Sequence, residues 1–502
     1  MDPFARIPAE LRLQIFSLLQ SKATISSLTQ ASPIMLEQYL GCKSTITRKL
    51  LKRNFDDKMI QDAMGIILFP SLRGSRRSRR MVCAHLHSWK LRELPNPLVT
   101  YDVLLMAQLD KLHSLLMVFV EDYITKATAT FPPREYICLP QPSHSQSYLV
   151  FKGQKVAKRF DSCHLEETER KRFLKAFLRV ELSSLVYKAI SFSYASRTLF
   201  RELARKLRKR HIETFRCVWG YASSLYGAIF AHCADAWLPA VDAPPETGLL
   251  FPDNFFSDPI QYGKDVGITS QEGRSTINDM ACYGFSLIFT MIRFAIARPQ
   301  NTKALEDFAK RLCSFTMDPT MNIDRFFLRE PIWTSVYSSF LYRKDDNKLS
   351  WWRCLDMELP SYYDNKQMEI FQQRAWPFFN DERYYSKGRA PRPLFPNNTE
   401  ISMMKRERLD NIAKSLCGPG PLTKALVEST VGDCRRSQKW QDKMKKKQGN
   451  VSETESSSSI ISIVNHEVSL PAIEDREKLL TWSSGGVVEW DVLKEAYVLT
   501  KT

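Results

Sequence analysis

Glycine is scarce in this chain, at 18 of 502 residues, and the glycine-rich phosphate loops GxxxxGK and GxGxxG are missing. The GxSxG elbow of the α/β hydrolases and the HExxH helix of zinc proteases are missing too. Without a reactive constellation, we expect the protein not to be an enzyme and to carry no cofactor. Few glycines beside many leucines, lysines, arginines and glutamates favour helix over sheet, so the predicted fold class is mainly α.

Hydrophobic runs of membrane-spanning length are also absent from the sequence, because no stretch reaches 18 uninterrupted apolar residues. The nearest such stretch, residues 281–297, contains Arg293 and is typical of a buried central helix. We therefore expect no membrane span.

No pair of cysteines has the CxxC spacing, and the 11 cysteines are an odd number. The first residues, Met1-Asp2-Pro3-Phe4, lack the basic start and the apolar stretch of a signal peptide. Reduced thiols are the natural interpretation. We expect a cytoplasmic or nuclear protein that is not secreted.

Cys83, His85 and His87 are three candidate metal ligands at alternate positions, which would share one face of a strand. A zinc site needs about four ligands. Only Cys163-His164 or His232-Cys233, distant in sequence, could complete the set. We therefore interpret these residues as ordinary core and loop positions and predict no metal site.

Positive charge dominates the composition, since 72 lysines and arginines against 55 acidic residues give a formal net charge of +17. Such an excess attracts polyanions, so association with nucleic acid is one hypothesis. The contacts would come from the arginine-rich stretch 73–80 and from a basic helix predicted at 201–210. Because no nucleic-acid-binding motif accompanies the charge, a dispersed and solvated surface is the favoured interpretation.

Two basic clusters are candidate nuclear import signals. The first lies in an expected loop at 73–80, and the second lies in a serine-rich, charged segment, 431–470, whose composition predicts a disordered linker. The residues concerned are Arg76, Arg77, Arg79, Arg80, Arg435, Arg436, Lys445, Lys446 and Lys447. The final segment, 471–502, regains apolar residues and is predicted to be a short docking tail.

Apolar periodicity predicts a large helical body from residue 46 to 430, without an internal repeat of fixed period. Two short apolar runs around Lys152-Gly153-Gln154 predict a minor β-hairpin at 147–160. The longest predicted helices of the body cover residues 98–124, 165–195, 214–237 and 273–298.

The first forty residues contain the clearest local pattern of the chain. Pro8 suits the first turn of a helix, and Leu11, Ile15 and Leu18 then recur at i, i+4 and i+7 on one face. A second short helix is predicted after Ser21-Lys22, with its end at Ser32-Pro33, and a third is predicted at 46–55. Pattern alone thus predicts a helical hairpin within a module of residues 1–45.

The order Ile7-Pro8-Ala9-Glu10-Leu11, then Ile15, Leu18-Leu19 and a spaced Leu28, resembles the start of an F-box. It is most similar to the F-box-like N-termini of uncharacterised filamentous-fungal proteins, and segments 30–39 and 55–64 extend the similarity over about residues 6–70. The resemblance implies a module that docks on a Skp-type linker protein and thereby on a cullin-type ubiquitin ligase. The residues that would carry this contact are Ile7, Pro8, Leu11, Ile15, Leu18 and Leu28.

The leading hypothesis is therefore a non-enzymatic adaptor, in which the F-box-like hairpin contacts a Skp-type partner and the helical body binds an unknown client protein. Two alternatives stay open. One is the basic nuclear protein that associates with nucleic acid, and the other is a structural helical protein whose N-terminal hairpin belongs to its own core. The exposure of Leu11, Ile15 and Leu18 distinguishes this last alternative from the adaptor.

Overall fold

A computed structural model describes residues 2–19, 21–70, 76–129, 132–141, 147–191, 212–233, 236, 238, 280–297, 372–380 and 403. These residues are 75% helical with one small sheet, which confirms the mainly α prediction. The basic helix predicted at 201–210, the linker at 431–470 with its import-signal candidate, and the tail at 471–502 lie outside the described residues.

The described elements follow one another as helices with a single hairpin between α8 and α9. The helices are α1 (Ala9–Leu18), α2 (Lys22–Ala31), α3 (Pro33–Asn54), α4 (Asp57–Ile67), α5 (Arg76–Leu91), α6 (Pro97–Thr100), α7 (Val103–Ala127), α8 (Pro132–Tyr136), α9 (Glu167–Ser191), α10 (Ile212–Cys233) and α11 (Gly284–Ala297). The strands are β1 (Tyr148–Phe151) and β2 (Gln154–Lys158), and single 3-10 turns form at Pro3–Arg6 and Ser162–His164.

Side chains cap two of the N-terminal helices. The Asp56 carboxylate accepts the backbone N–H of Met59 at 2.8 Å, so it caps α4. Ser32 accepts the N–H of Met35 at 3.1 Å and caps α3, whose first residue is Pro33. The predicted end of α2 at Ser32-Pro33 is confirmed, and the same pair begins the next helix.

Helix α3 is longer than predicted. The sequence predicted a helix only at 46–55, but α3 runs for 22 residues from Pro33 to Asn54, because a proline in the first turn needs no N–H partner. Ile46 packs in a small N-terminal cluster and Leu51 in the main core. The helix crosses the predicted domain boundary after residue 45 without a break, and the division into domains stays a prediction.

The main core forms where α7 and α9 pack with α4, α10 and α11. From α7, Leu109, Leu116 and Phe119 are buried, in agreement with the predicted spacing, as is Tyr123. The Tyr123 ring stacks on Tyr221 of α10 with centroids 4.6 Å apart. The helices predicted from apolar periodicity thus supply the core.

A nine-residue segment from much later in the chain, 372–380, completes this core. Phe378 stacks on Phe173 of α9 with ring centroids 4.2 Å apart. Arg172 donates to the carbonyl oxygen of Phe378 at 2.9 Å, and the Tyr136 hydroxyl donates to that of Gln373 at 2.6 Å. Side chains of α8 and α9 therefore hold the segment by its backbone as well as by its rings.

Helix α11 begins against a buried carboxylate of α9. The N–H of Phe285 donates to Oε2 of Glu181 at 2.6 Å, and the Ser286 hydroxyl donates to Oε1 at 2.8 Å. Gly284, the first residue of α11, has a φ of +76°. The carboxylate satisfies an N–H at the start of the helix and faces the positive end of its dipole.

The predicted β-hairpin at 147–160 is confirmed. β1 and β2 are antiparallel, with Tyr148 opposite Lys158. Lys152 and Gly153 both have positive φ angles, 46° and 87°, as a tight two-residue hairpin turn requires.

Candidate partner-docking surface

Helix α1 turns an aromatic residue inward and leaves two leucines outside. Phe16 is buried, whereas Leu11 and Leu18 are 47% and 72% exposed. Pro8, just before the helix, is exposed as well. Because Leu11 and Leu18 are seven residues apart, they lie on the same side of α1 about two turns from each other. We call Pro8, Leu11 and Leu18 the α1 face.

The other three residues of the predicted contact set are half-buried. Ile15 and Leu28 pack against the small core of the N-terminal helices, and Ile7 directly precedes Pro8 in the chain. That small core consists of Phe16, Ile25, Met35 and Ile46. The six predicted residues therefore divide into three that are exposed, two that pack against the small core and Ile7, which is half-buried.

Sequence periodicity missed Phe16, which lies next to Ile15 but outside the i, i+4, i+7 series. Its ring contacts Tyr39 of α3 with centroids 5.8 Å apart. An aromatic side chain buries more area than a leucine, so it is the better anchor for a short helix on α3. Ring size was the signal in the sequence that could have identified it.

The Asp2 side chain, which we call the Asp2 latch, holds the segment that leads into α1. The Asp2 carboxylate accepts the Ser32 hydroxyl at 2.6 Å and the N–H of Phe4 at 2.9 Å. The hydrogen bond from Ser32 is the main reason why the pKa of Asp2 is lowered. This latch ties the segment before Pro8 to the corner between α2 and α3.

The N-terminal helices rest on the body through α2 and α3. Lys22 forms an ion pair with Asp110 of α7 at 2.6 Å. Arg48 donates twice to the carbonyl oxygen of Leu98, at 2.9 and 2.7 Å, and its guanidinium lies 3.8 Å from the centre of the Tyr101 ring. These contacts use the sides of α2 and α3, so they leave the α1 face open.

The arginine-rich stretch does not form the predicted loop over residues 76–80. Helix α5 begins at Arg76, and Arg80 is exposed on it. Residues 71–75 lie outside the described residues. The import-signal hypothesis for Arg76, Arg77, Arg79 and Arg80 stays a prediction, now placed on a helix.

Cys83, His85 and His87 lie on helix α5 instead of a strand, so alternate residues point about 200° apart and the three do not converge. His85 Nε2 lies 2.9 Å from the Gly65 carbonyl oxygen. These three residues therefore do not share one face, as they would have on a strand.

A different group of potential metal ligands lies in the 3-10 turn before α9. The ligand atoms of Asp161, Cys163 and His164 all lie within 4.8 Å of one another, the only such group among the described residues. Burial, together with a hydrogen bond to Asp161, raises the pKa of the Cys163 thiol to about 11. Cys163 and His164 are candidate ligands by sequence, whereas Asp161 lies two residues before Cys163 and was not predicted, although this spacing alone could have indicated it.

An ion pair lies wholly inside the main core. Lys126 and Asp122 of α7 are fully buried and 2.7 Å apart. The Tyr221 hydroxyl donates to Asp122 at 2.6 Å, and Lys126 also donates to the Cys138 carbonyl oxygen at 2.9 Å. Burial raises the pKa of Tyr221 well above its ordinary value. These buried groups are bonded to one another and connect α7 to α10.

By length and composition, α7 is the one helix in the described part of the chain that could cross a membrane. Half of its most apolar stretch is buried inside the protein. The prediction of no membrane span stays a prediction.

No protein-family model, no curated protein and no solved structure matches this chain.

Proposed function

We propose that this protein is a non-enzymatic adaptor that docks on a Skp-type linker protein through the α1 face and recruits a client protein to a cullin-type ubiquitin ligase. The observation that carries the proposal is the exposure of Leu11 and Leu18 on a helix that is already anchored by Phe16. The similarity of residues 6–70 to F-box-like N-termini supplies the chemistry of the partner.

The α1 face has the form of a helical docking element. Helices that enter an apolar groove use anchors at i, i+3, i+4 and i+7, and Leu11 and Leu18 have the i, i+7 spacing. Full burial of a leucine side chain contributes about 1.5–3 kcal/mol. Two leucines can therefore supply a large part of the free energy of a specific contact.

The α1 face is already ordered before a partner binds. Phe16 fixes the inner side of α1 against α3, and the Asp2 latch fixes the chain just before Pro8. A surface that is already ordered loses little conformational entropy when a partner covers it, which favours affinity. The exposed leucines are thus carried on a rigid support.

The helical body would hold the client. In this arrangement the body contacts α2 and α3 through Lys22 and Arg48, while Leu11 and Leu18 of the α1 face stay exposed. A client and a linker protein could then occupy different sides of the molecule in the cytoplasm or the nucleus.

The test uses purified full-length chain and a purified Skp-type protein, with affinity measured by calorimetry. We expect the double variant Leu11→Asp/Leu18→Asp to bind at least about tenfold more weakly, because two charges would have to enter an apolar groove without partners. Leu91→Asp is the matched control, since Leu91 is also exposed, at 51%, but lies on α5. Thermal unfolding followed by circular dichroism checks that each variant is folded.

The proposal fails if the wild-type chain does not bind the Skp-type protein, or if the double variant and Leu91→Asp weaken binding equally. In cells, recovery of the Skp-type protein with wild type and with the double variant alike would also contradict it.

A further inference from the structure

The turn between the β-hairpin and α9 brings together three side chains of the types that bind zinc. It offers the Asp161 carboxylate, the Cys163 sulfur and the His164 imidazole, whose ligand atoms lie within 4.8 Å of one another. Cys163 Sγ and His164 Nδ1 are 3.5 Å apart. Sulfur and imidazole nitrogen are the donors that zinc prefers in proteins, and a carboxylate oxygen is the third common one.

The sulfur-to-nitrogen separation fits a shared metal. Zinc binds cysteine sulfur at about 2.3 Å and histidine nitrogen at about 2.0–2.1 Å, so tetrahedral angles place the two donors about 3.6 Å apart. The observed 3.5 Å agrees with this value. The two donor atoms are therefore close enough to share one zinc ion. Nδ1 of His164 also lies 3.2 Å from the Asp161 carbonyl oxygen, so it would bind zinc in the tautomer that carries the proton on Nε2.

We propose that Asp161, Cys163 and His164 bind one zinc ion through their side chains, with water in the fourth position. On binding, the Cys163 thiol loses its proton to solvent and coordinates as the thiolate. The fourth position is open because Asp161 and His164 are exposed on the surface. Three protein ligands and one water are the usual set of a zinc site that is open to solvent.

Neighbouring groups hold the three ligands in place. Asp161 Oδ1 accepts the N–H of Cys163 at 2.9 Å, which leaves the second carboxylate oxygen for the metal. The Phe160 ring packs edge-on against the imidazole of His164, with centroids 6.1 Å apart. Arg170 donates to the carbonyl oxygen of Leu165 at 3.0 Å and fixes the end of the turn. Such supporting contacts orient metal ligands and raise affinity.

The site is independent of the adaptor function proposed above, because it lies on the turn before α9 and shares no residue with the α1 face. Its three ligands all lie within residues 161–164, between the end of β2 and the start of α9. The two proposals can therefore succeed or fail separately.

Cobalt is the probe, because Co²⁺ occupies zinc sites and a cobalt–thiolate bond gives a charge-transfer absorption in the near ultraviolet. The reduced, chelator-treated full-length chain is titrated with Co²⁺ and then with Zn²⁺. We expect one equivalent of cobalt to bind with this absorption and zinc to displace it. Cys163→Ser should abolish the absorption, and His164→Ala or Asp161→Asn should weaken zinc binding at least tenfold in calorimetry.

Cys42→Ser is the matched control, since Cys42 is also a free, half-buried cysteine, and it should leave the absorption unchanged. Circular dichroism confirms that each variant is folded, and His164→Ala carries the test if Cys163→Ser does not fold. The proposal is overturned if no absorption appears, if it persists in Cys163→Ser, or if Cys42→Ser removes it equally, which would show adventitious thiol binding only.

Discussion

The absence of a side chain at Gly284 allows the start of α11 to pack closely against α9. A Cβ atom at this position would lie 2.5 Å from Oε2 of Glu181 and 2.9 Å from Cβ of Ser184, and the φ of +76° disfavours any other residue. Gly284→Ala should therefore lower the free energy of unfolding by about 2 kcal/mol or more, measured as a shift of the urea midpoint.

Gly41→Ala is the control for this change. Gly41 lies inside α3, and a Cβ there would meet nothing within 4 Å. Alanine has the higher helix propensity, so this variant should be more stable by up to about 1 kcal/mol. An unchanged midpoint for Gly284→Ala would show that Glu181 and Ser184 can move aside.

His113 makes stability depend on pH. Burial, with a smaller contribution from Lys22 and Arg170, lowers the pKa of His113 to about 3, and Asn54 Nδ2 lies 3.2 Å from its Nε2. The unfolded chain binds this proton near pH 6.5, so between about pH 6.5 and 3 it binds more protons than the folded chain. The folded state should lose up to about 1.4 kcal/mol per pH unit through this group as the pH falls across that window.

The comparison of wild type with His113→Gln isolates this contribution. Other buried groups also make stability depend on pH. Burial lowers the pKa of His232 to about 3, which changes stability in the same direction as His113 does. Burial raises the pKa of Glu135 to about 7, which changes stability in the opposite direction. We expect the urea midpoint of His113→Gln to fall less steeply between pH 6.5 and 4 than that of wild type. His87→Gln, at an exposed histidine, is the control for the substitution itself.

At the scale of elements, segment 372–380 is an essential part of the main core. Phe378 is fully buried and stacks on Phe173. Phe378→Ala should cost about 3–5 kcal/mol through lost burial and the cavity left behind. Leu104→Ala, at an exposed leucine in the first turn of α7, should change the urea midpoint little. A small effect of Phe378→Ala would mean that the body closes without this segment.

Local signals in the sequence predicted many of the elements. The end of α2 at Ser32-Pro33, the turn at Lys152-Gly153 and the periodicity of α9 depend on neighbours within a few residues. The helix predicted at 98–124 is in fact two, because Tyr101 has a φ of 58° that separates α6 from α7. No propensity predicts such a left-handed tyrosine, whose ring lies under Arg48 from a different helix.

Contacts between distant parts of the chain could not be predicted from the same signals. Glu181 and Phe285 are 104 residues apart, and Arg172 and Phe378 are 206 apart. At the candidate docking surface, periodicity identified α1 as amphipathic but could not decide whether Leu11 or Phe16 faces inward. That choice depends on the shape of α3, which the sequence predicted only over residues 46–55.

At the scale of the whole molecule, the net charge of +17 leaves the nucleic-acid hypothesis open as an alternative. It requires binding to duplex DNA that weakens steeply as salt increases, because released counterions drive such binding. The adaptor proposal requires no such binding. A binding series at several salt concentrations, with wild type and Leu11→Asp/Leu18→Asp, separates the two, since only the adaptor contact depends on the leucines.

Helix α3 also decides how far and in which direction a bound partner could sit. Its 22 residues span about 33 Å, with Met35 and Ile46 in the N-terminal cluster and Leu51 in the main core. Helix α3 thus packs into the protein at both ends and forms a rigid connection between the N-terminal cluster and the main core, unlike a flexible linker. A protein bound to α1 would have a fixed orientation relative to the body. The length of α3 would therefore set the distance between the partner and the client. Inserting a few residues into α3 would rotate the bound partner about the helix axis.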